Sequence, residues 1–168
     1  TSMPHYRPQH ARLKQGDLIL VDIGVVVDGY CSDMTRMISF EVESKKLLEI
    51  FSIVKEAQEA ACAQCRPGIA LRDLDALARE VIAKRGYGEY FIHSLGHGLG
   101  LDVHEWPIIS KTSPKDEILQ EGMCVTIEPG IYLPKIGGVR IEDTVLVTKK
   151  GPKIFTDCSR DLYQIDEI

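Results

Sequence analysis

The sequence contains no apolar run near the roughly 18 residues that a membrane-spanning helix requires. Its opening, Thr-Ser-Met-Pro-His-Tyr-Arg-Pro, holds no apolar core of a signal peptide. Positive charge is in deficit: 20 Lys and Arg stand against 25 Asp and Glu, a formal net charge of −5. Such a chain has no electrostatic footprint for phosphate backbones or anionic lipid, so neither nucleic acid nor a membrane is an expected partner. No internal repeat, low-complexity tract or Pro/Gly/Ser-rich linker marks a domain boundary. The five cysteines (Cys31, Cys62, Cys65, Cys124 and Cys158) are odd in number and scattered. A secreted disulfide framework favours a denser, even set, so a reducing cytoplasm is the expected compartment. Cys62 and Cys65 form a C-x-x-C within an alanine-rich stretch of helical character. With no second pair, the two are expected to pack as small apolar residues.

What is present is ordinary for a globular protein. With 168 residues, 44% hydrophobic and 27% charged, the chain can form one domain, or most of one, around a buried core. Leu18 to Val27 reads as a buried strand, Asp28-Gly29 as a turn and Tyr30 to Phe40 as the second arm of a hairpin. Apolar residues recur at helical spacing from Ser44 to Cys65, where Pro67-Gly68 stops the helix, and again from Leu71 to Lys84, where Gly86 does. Met123 to Leu133 and Val139 to Val147 read as strands, and Lys149 to Gly151 as a turn before Ile154-Phe155. Strands, two helices and strands again imply an α+β domain, an antiparallel sheet covered by helices. The chain opens on polar sequence leading into a strand with no helix before it, which suggests an N-terminally trimmed fragment.

Acidic residues interrupt these apolar strands. Asp22 lies in Ile19-Leu-Val-Asp-Ile-Gly and Asp33 follows eleven positions later in Tyr30-Cys-Ser-Asp-Met-Thr-Arg. A tight turn between them can bring both carboxylates to one spot. Glu128 repeats the pattern in Val125-Thr-Ile-Glu-Pro-Gly, and Glu142 in Gly138-Val-Arg-Ile-Glu-Asp-Thr. One such acid would be a strand-end partner of a lysine or arginine. Four would repel one another unless something positive sits among them.

His93, His97 and His104 fall within a glycine-rich loop, Phe91-Ile-His-Ser-Leu-Gly-His-Gly-Leu-Gly-Leu-Asp-Val-His-Glu. Three histidines so placed suggest one metal ligand with proton-handling neighbours, without saying which is the ligand. An imidazole with four carboxylates is an oxygen-rich set that suits Mn²⁺, Fe²⁺ or Co²⁺ better than structural zinc. Bridging carboxylates can hold two ions about 3.5 Å apart, which would make the site hydrolytic.

The strings VDIGVVVDGYCSDMTR, SLGHGLGLDVHE, TIEPGIY and GGVRIEDT, in this order, resemble the pita-bread metallopeptidases of the creatinase/aminopeptidase fold. That family includes methionine aminopeptidase, Xaa-Pro aminopeptidase (aminopeptidase P) and Xaa-Pro dipeptidase (prolidase). The resemblance runs from His5 to about Val147, and the SDMTR and GVRIED strings look most like the Xaa-Pro branch. It implies that residues 1–168 are part of the catalytic domain, without its first helices and strands or the separate N-terminal domain. The implied metal ligands are Asp22 on one ion, His97 and Glu128 on the other, and Asp33 and Glu142 bridging both. Two divalent ions are implied, Mn²⁺ foremost, with Co²⁺, Fe²⁺ or Zn²⁺ as alternatives. His93, His104 and His5 would face the substrate, Glu128 would also move the proton, and Arg140 would hold a ligand carboxylate from behind. The implied activity is hydrolysis of the bond between an N-terminal residue and proline by a metal-activated water, as in aminopeptidase P. Prolidase is the near alternative, then methionine aminopeptidase, then a non-catalytic module binding peptide or protein. Many relatives are dimers, so a homodimer is also implied.

Overall fold

The computed structural model describes residues 1–6 and 10–165. Two helices pack on one another and on a sheet. Helix α1 (Lys45–Gln64) starts at Ser44, whose hydroxyl accepts the Leu47 amide, and buries Leu47, Ile50, Ile53, Val54, Ala57 and Ala61 along one face. Helix α2 (Leu71–Lys84) buries Leu71, Leu74, Ala78 and Ile82 and ends before Gly86, which sits at φ +84°. Both spans agree with the periodicity of the sequence. Cys62 and Cys65 are buried at the end of α1, and burial pushes both thiols up, Cys65 to about 12, as expected of packed apolar residues.

The strands differ from the sequence reading in an instructive way. The hairpin expected from Leu18 to Phe40 is cut into two ladders. Strand β1 (Leu18–Ile23) pairs antiparallel with β4 (Met34–Phe40), Asp22 lying opposite Thr35, while β2 (Val26–Val27) pairs with β3 (Tyr30–Cys31) as a separate ribbon. The cut falls at Gly24, where a Cβ would stand 2.4 Å from the Ser32 carbonyl oxygen. The two backbones cross there too closely for any side chain, and Asp33 is released from the ladder.

The histidine segment is not a loop throughout. Gly96–Gly98 forms β5, the fourth strand in a five-stranded sheet of order β11-β10-β7-β5-β6, where β6 is Glu105–Ile109, β7 Cys124–Ile127, β10 Asp143–Thr148 and β11 Gly151–Ile154. Glycine is needed there because a Cβ on Gly96 would lie 1.9 Å from the Thr126 carbonyl oxygen. The β5–β6 register shifts between His97 and Gly98, a bulge of the kind that re-aims a side chain.

Met123 to Leu133 is likewise two strands, β7 and β8 (Gly130–Leu133), parted at Glu128-Pro129, where proline has no amide to donate to a ladder. Val139 to Val147 divides at Ile141-Glu142 into β9 (Gly137–Arg140) and β10, and β8 pairs with β9. Strand β12 (Tyr163–Ile165) joins β4 in parallel, an exception to the antiparallel expectation. The three-stranded sheet β1-β4-β12 meets the five-stranded one through a bridge between Thr35 and Glu142. The expected acids therefore fall at strand ends and breaks where the sheets converge.

Candidate metal centre

Those breaks aim side chains into one cavity of about 220 Å³, lined by His5, Asp22, Asp33, His97, His104, Glu128, Arg140 and Glu142 among others. Among the described residues, Asp33, His97 and Glu142 form a group whose ligand atoms all lie within 4.8 Å of one another. Glu128 is beside it, its Oε1 3.3 Å from His97 Nε2, and Asp33 Oδ2 lies 3.9 Å from the same nitrogen. Asp22 lines the cavity but is half-exposed, its carboxylate turned to accept from Arg140 Nη2 at 2.5 Å.

The hydrogen bonds show what the centre is suited to hold. His97 Nδ1 lies 3.0 Å from the Gly98 carbonyl oxygen, which can only accept, so Nδ1 carries a proton and Nε2 faces the carboxylates. Glu128 and Asp33 are both acceptors, so an electron pair on Nε2 demands a cation between them, a proton or a metal ion. Burial lowers the affinity of the imidazole for a proton, but bonding to Glu128 and Gly98 and the charges of Glu128 and Asp33 outweigh it, and the net displacement is upward. Asp33 is pushed up to about 6 by burial and by the negative charges of Asp22 and Glu128. Glu142 stands well above the ordinary carboxylate value for the same reason, burial first and then Glu128 and Asp33. Glu128 goes the other way: burial raises it, but its bond to His97 and the charges of His93, His97 and Arg140 hold it low. Buried carboxylates that resist ionisation around a ligand-ready imidazole fit a divalent cation, which would relieve the repulsion that raises them.

Arg140 and Thr35 organise these acids. Arg140, almost fully buried, donates through Nε to Thr35 Oγ1 (3.2 Å) and through Nη1 to the Tyr132 hydroxyl (3.1 Å), besides Asp22. The Thr35 hydroxyl in turn donates to Glu142 Oε2 at 2.6 Å. Thr126 Oγ1 accepts the His97 amide at 3.0 Å and donates to Glu128 Oε1 at 3.2 Å. Thr35, Thr126 and Tyr132 were not singled out from the sequence, although all three lie within or beside the motif strings; a hydroxyl's partner is invisible until the strands are paired.

The candidate histidines separate. His104 is exposed with its ring centroid 4.3 Å from that of His97, and His5 is exposed on the same lining. His93 is outside that lining: Nε2 meets the Tyr132 hydroxyl at 2.9 Å and Nδ1 the Ser94 carbonyl at 2.8 Å. Burial holds its basicity below the ordinary imidazole value.

An α+β fold that gathers a histidine and several carboxylates at the junction of two sheets is the kind of site that can hold a metal ion. The chain belongs to metallopeptidase family M24, whose model matches residues 1–149. It is 51% identical over 162 residues to the Xaa-Pro dipeptidase of Pyrococcus horikoshii, covering 96% of this chain and 46% of that protein. Among solved structures, a Xaa-Pro dipeptidase from Bacillus anthracis superposes with a TM-score of 0.94 at 44% identity over 98% of this chain and 46% of that one. An X-Pro aminopeptidase from Thermotoga maritima gives 0.93 at 41% identity, again over 98% and 46%. The chain thus spans about half the length of the curated relatives it matches. The pita-bread fold implied by the motif strings is the fold of the chain, and among the described residues no helix is long and apolar enough to cross a membrane.

Proposed function

We propose that the chain is part of the catalytic domain of a Xaa-Pro dipeptidase, a dinuclear metal-dependent hydrolase of proline-containing dipeptides in the cytoplasm. The single observation that carries the reading is the convergence of Asp33, His97 and Glu142 with Asp22 and Glu128 on one cavity that His5 and His104 also line. The aminopeptidase reading stood first on the motifs alone; the dipeptidase names of relatives at 51% and 49% identity favour the other order.

Asp22, Asp33, His97, Glu128 and Glu142 would hold two divalent ions, with Mn²⁺ the first choice for so oxygen-rich a set. The chemistry such ions supply when bound is Lewis acidity, which polarises a carbonyl and lowers the pKa of water to about 7. The protein supplies the rest. Glu128, held low and facing the cavity, is a carboxylate at neutral pH and so can take a proton from water and return it to the leaving nitrogen. Thr126 and His97 fix the orientation of that carboxylate. Arg140 holds the carboxylate of Asp22 and Thr35 that of Glu142. The exposed His5 and His104 are placed to touch a peptide, and His93 acts through Tyr132.

The test is a product-resolved assay in which metal-stripped protein receives Mn²⁺ and a panel of Xaa-Pro, Xaa-Pro-Yaa and Met-Ala-Yaa peptides, followed by mass. Cleavage confined to Xaa-Pro dipeptides is expected. Cleavage before proline in tripeptides would restore the aminopeptidase reading, and release of methionine alone would move the chain to that branch. No cleavage with any metal would leave a peptide-binding module.

A further inference from the structure

Asp75 on α2 is fully buried, yet it has no place in the metal centre. Arg79, one helical turn on, pairs with it twice, Nε to Oδ2 at 2.5 Å and Nη2 to Oδ1 at 3.1 Å. A buried ion pair is weak ground for stability, because desolvating both charges offsets most of their attraction. The remaining bonds of these two groups are more telling. Arg79 Nη1 donates to the Phe91 carbonyl at 2.8 Å and Nη2 to the His93 carbonyl at 2.5 Å. Its guanidinium carbon sits 4.1 Å from the centre of the Phe91 ring, which in turn meets the His93 imidazole edge-on at 5.2 Å. Asp75 Oδ1 shares the Leu95 amide, at 3.2 Å, with the Ile109 carbonyl, at 2.8 Å, and the Leu95 carbonyl accepts the Glu128 amide at 2.8 Å. The planar fork of arginine is what allows one side chain to reach two carbonyls and a carboxylate at once.

We propose that Asp75 and Arg79 are positioning residues that clamp the backbone of Phe91, His93 and Leu95, and so place the His93 ring against Tyr132. The catalytic consequence rests on the peptidase reading above; the structural one does not. The His93 ring has little tolerance. Its Nδ1–H must donate to the Ser94 carbonyl, leaving Nε2 to accept from the Tyr132 hydroxyl, and Tyr132 is tied to Arg140. Displacement of such a chain by about 1 Å can cost about a hundredfold in rate without touching a reacting atom.

The experiment compares the whole chain with Arg79→Lys, which keeps the charge beside Asp75 and loses the fork. Should that variant fail to fold, the neutral pair Asp75→Leu/Arg79→Met removes the same bonds without leaving a buried charge unpaired. Two readouts are taken: the side-chain nitrogen resonances of His93 in the metal-free protein, assigned by their loss in His93→Gln, and kcat, KM and Mn²⁺ affinity on Xaa-Pro peptides. The clamp predicts displaced His93 resonances, a fall in kcat of about 10- to 100-fold and Mn²⁺ affinity within about twofold of the parent. Unchanged resonances with full kcat would overturn it. So would a kcat loss that tracks the unfolded fraction and recovers on cooling, the mark of a purely structural pair. A parent inactive on every Xaa-Pro peptide would sink the dipeptidase reading, while the His93 resonances would still decide the clamp.

Discussion

Thr35 and Glu142 hold each other twice. The Thr35 hydroxyl donates to Glu142 Oε2 at 2.6 Å, and the Glu142 amide donates to the Thr35 carbonyl at 3.2 Å. One residue of the three-stranded sheet thus fixes both the backbone and the carboxylate of a candidate ligand at the break between β9 and β10. Because Thr35 also accepts from Arg140, its hydroxyl joins the cationic and anionic sides of the site.

Replacing that hydroxyl should be felt in metal binding more than in folding. Thr35→Val leaves the Glu142 carboxylate without its hydroxyl donor and Arg140 Nε without its acceptor, a cost of about 1–3 kcal/mol in stability. Mn²⁺ affinity should fall by about 10- to 100-fold, as when a ligand loses its supporting bond. Calorimetric titration and a urea melt measure the two separately; an unchanged Mn²⁺ affinity would remove Thr35 from the site.

Glu142→Gln should separate stability from function. With its pKa raised by burial and by Glu128 and Asp33, ionised Glu142 opposes folding of the metal-free protein near neutral pH. The variant should therefore match or exceed the parent Tm without metal, lose most of the Tm gain on adding Mn²⁺, and show no peptide hydrolysis. Thermal scans with and without Mn²⁺ test this directly, and full-rate turnover by the variant would sink the mechanism.

Metal binding should strengthen with pH in a definite window. A carboxylate raised in the folded state contributes stability that is complete below its unfolded value and lost as pH rises through the folded one, for Asp33 from 3.8 up to about 6. Upward-displaced His97 acts in the same sense at higher pH, and downward-displaced His93 opposes it. A cation competes for the same sites only once they are deprotonated. Between about pH 7 and about pH 5, Asp33 alone should raise the half-saturating Mn²⁺ concentration about tenfold. Titration at the two pH values checks it, and equal affinities would rule Asp33 out as a ligand.

Gly96→Ala should damage the fold rather than the chemistry. The new Cβ would meet the Thr126 carbonyl carbon at 2.7 Å and its oxygen closer still, backbone atoms held by the β5–β7 ladder. Overpacking of this kind costs about 1–3 kcal/mol or more. A lower urea midpoint is expected, whereas Gly122→Ala, where a Cβ meets nothing, carries only the strain of its φ of +90°.

Asp143 offers a contrast with its neighbour Glu142. It is fully buried yet held low: burial raises it, but bonds from Thr156, Arg36 and Arg160 prevail. Asp143→Leu would strand the Arg36 guanidinium, which also donates to the Glu142 carbonyl, and should cost about 3–5 kcal/mol in a urea melt.

The sequence by itself determined the helices and the family, and it singled out the candidate site residues. Helix α1 was legible because Leu47, Phe51, Val54 and Ala57 recur at a spacing that one turn of backbone imposes, with Pro67-Gly68 to stop it. The candidate ligands were legible because acids inside apolar strands are costly and therefore conspicuous. Only the tertiary structure decided where those strands break. Gly24 and Gly96 look like ordinary glycines until the Ser32 and Thr126 carbonyls arrive from elsewhere in the chain to occupy the space a side chain would fill. It also decided that His93 belongs with Tyr132 and Arg79 while His97 belongs with the carboxylates, though only four positions separate them. Periodicity is a local property read along one segment. Which carbonyl, hydroxyl or guanidinium stands opposite a residue is set by the pairing of distant segments, and no local pattern encodes it.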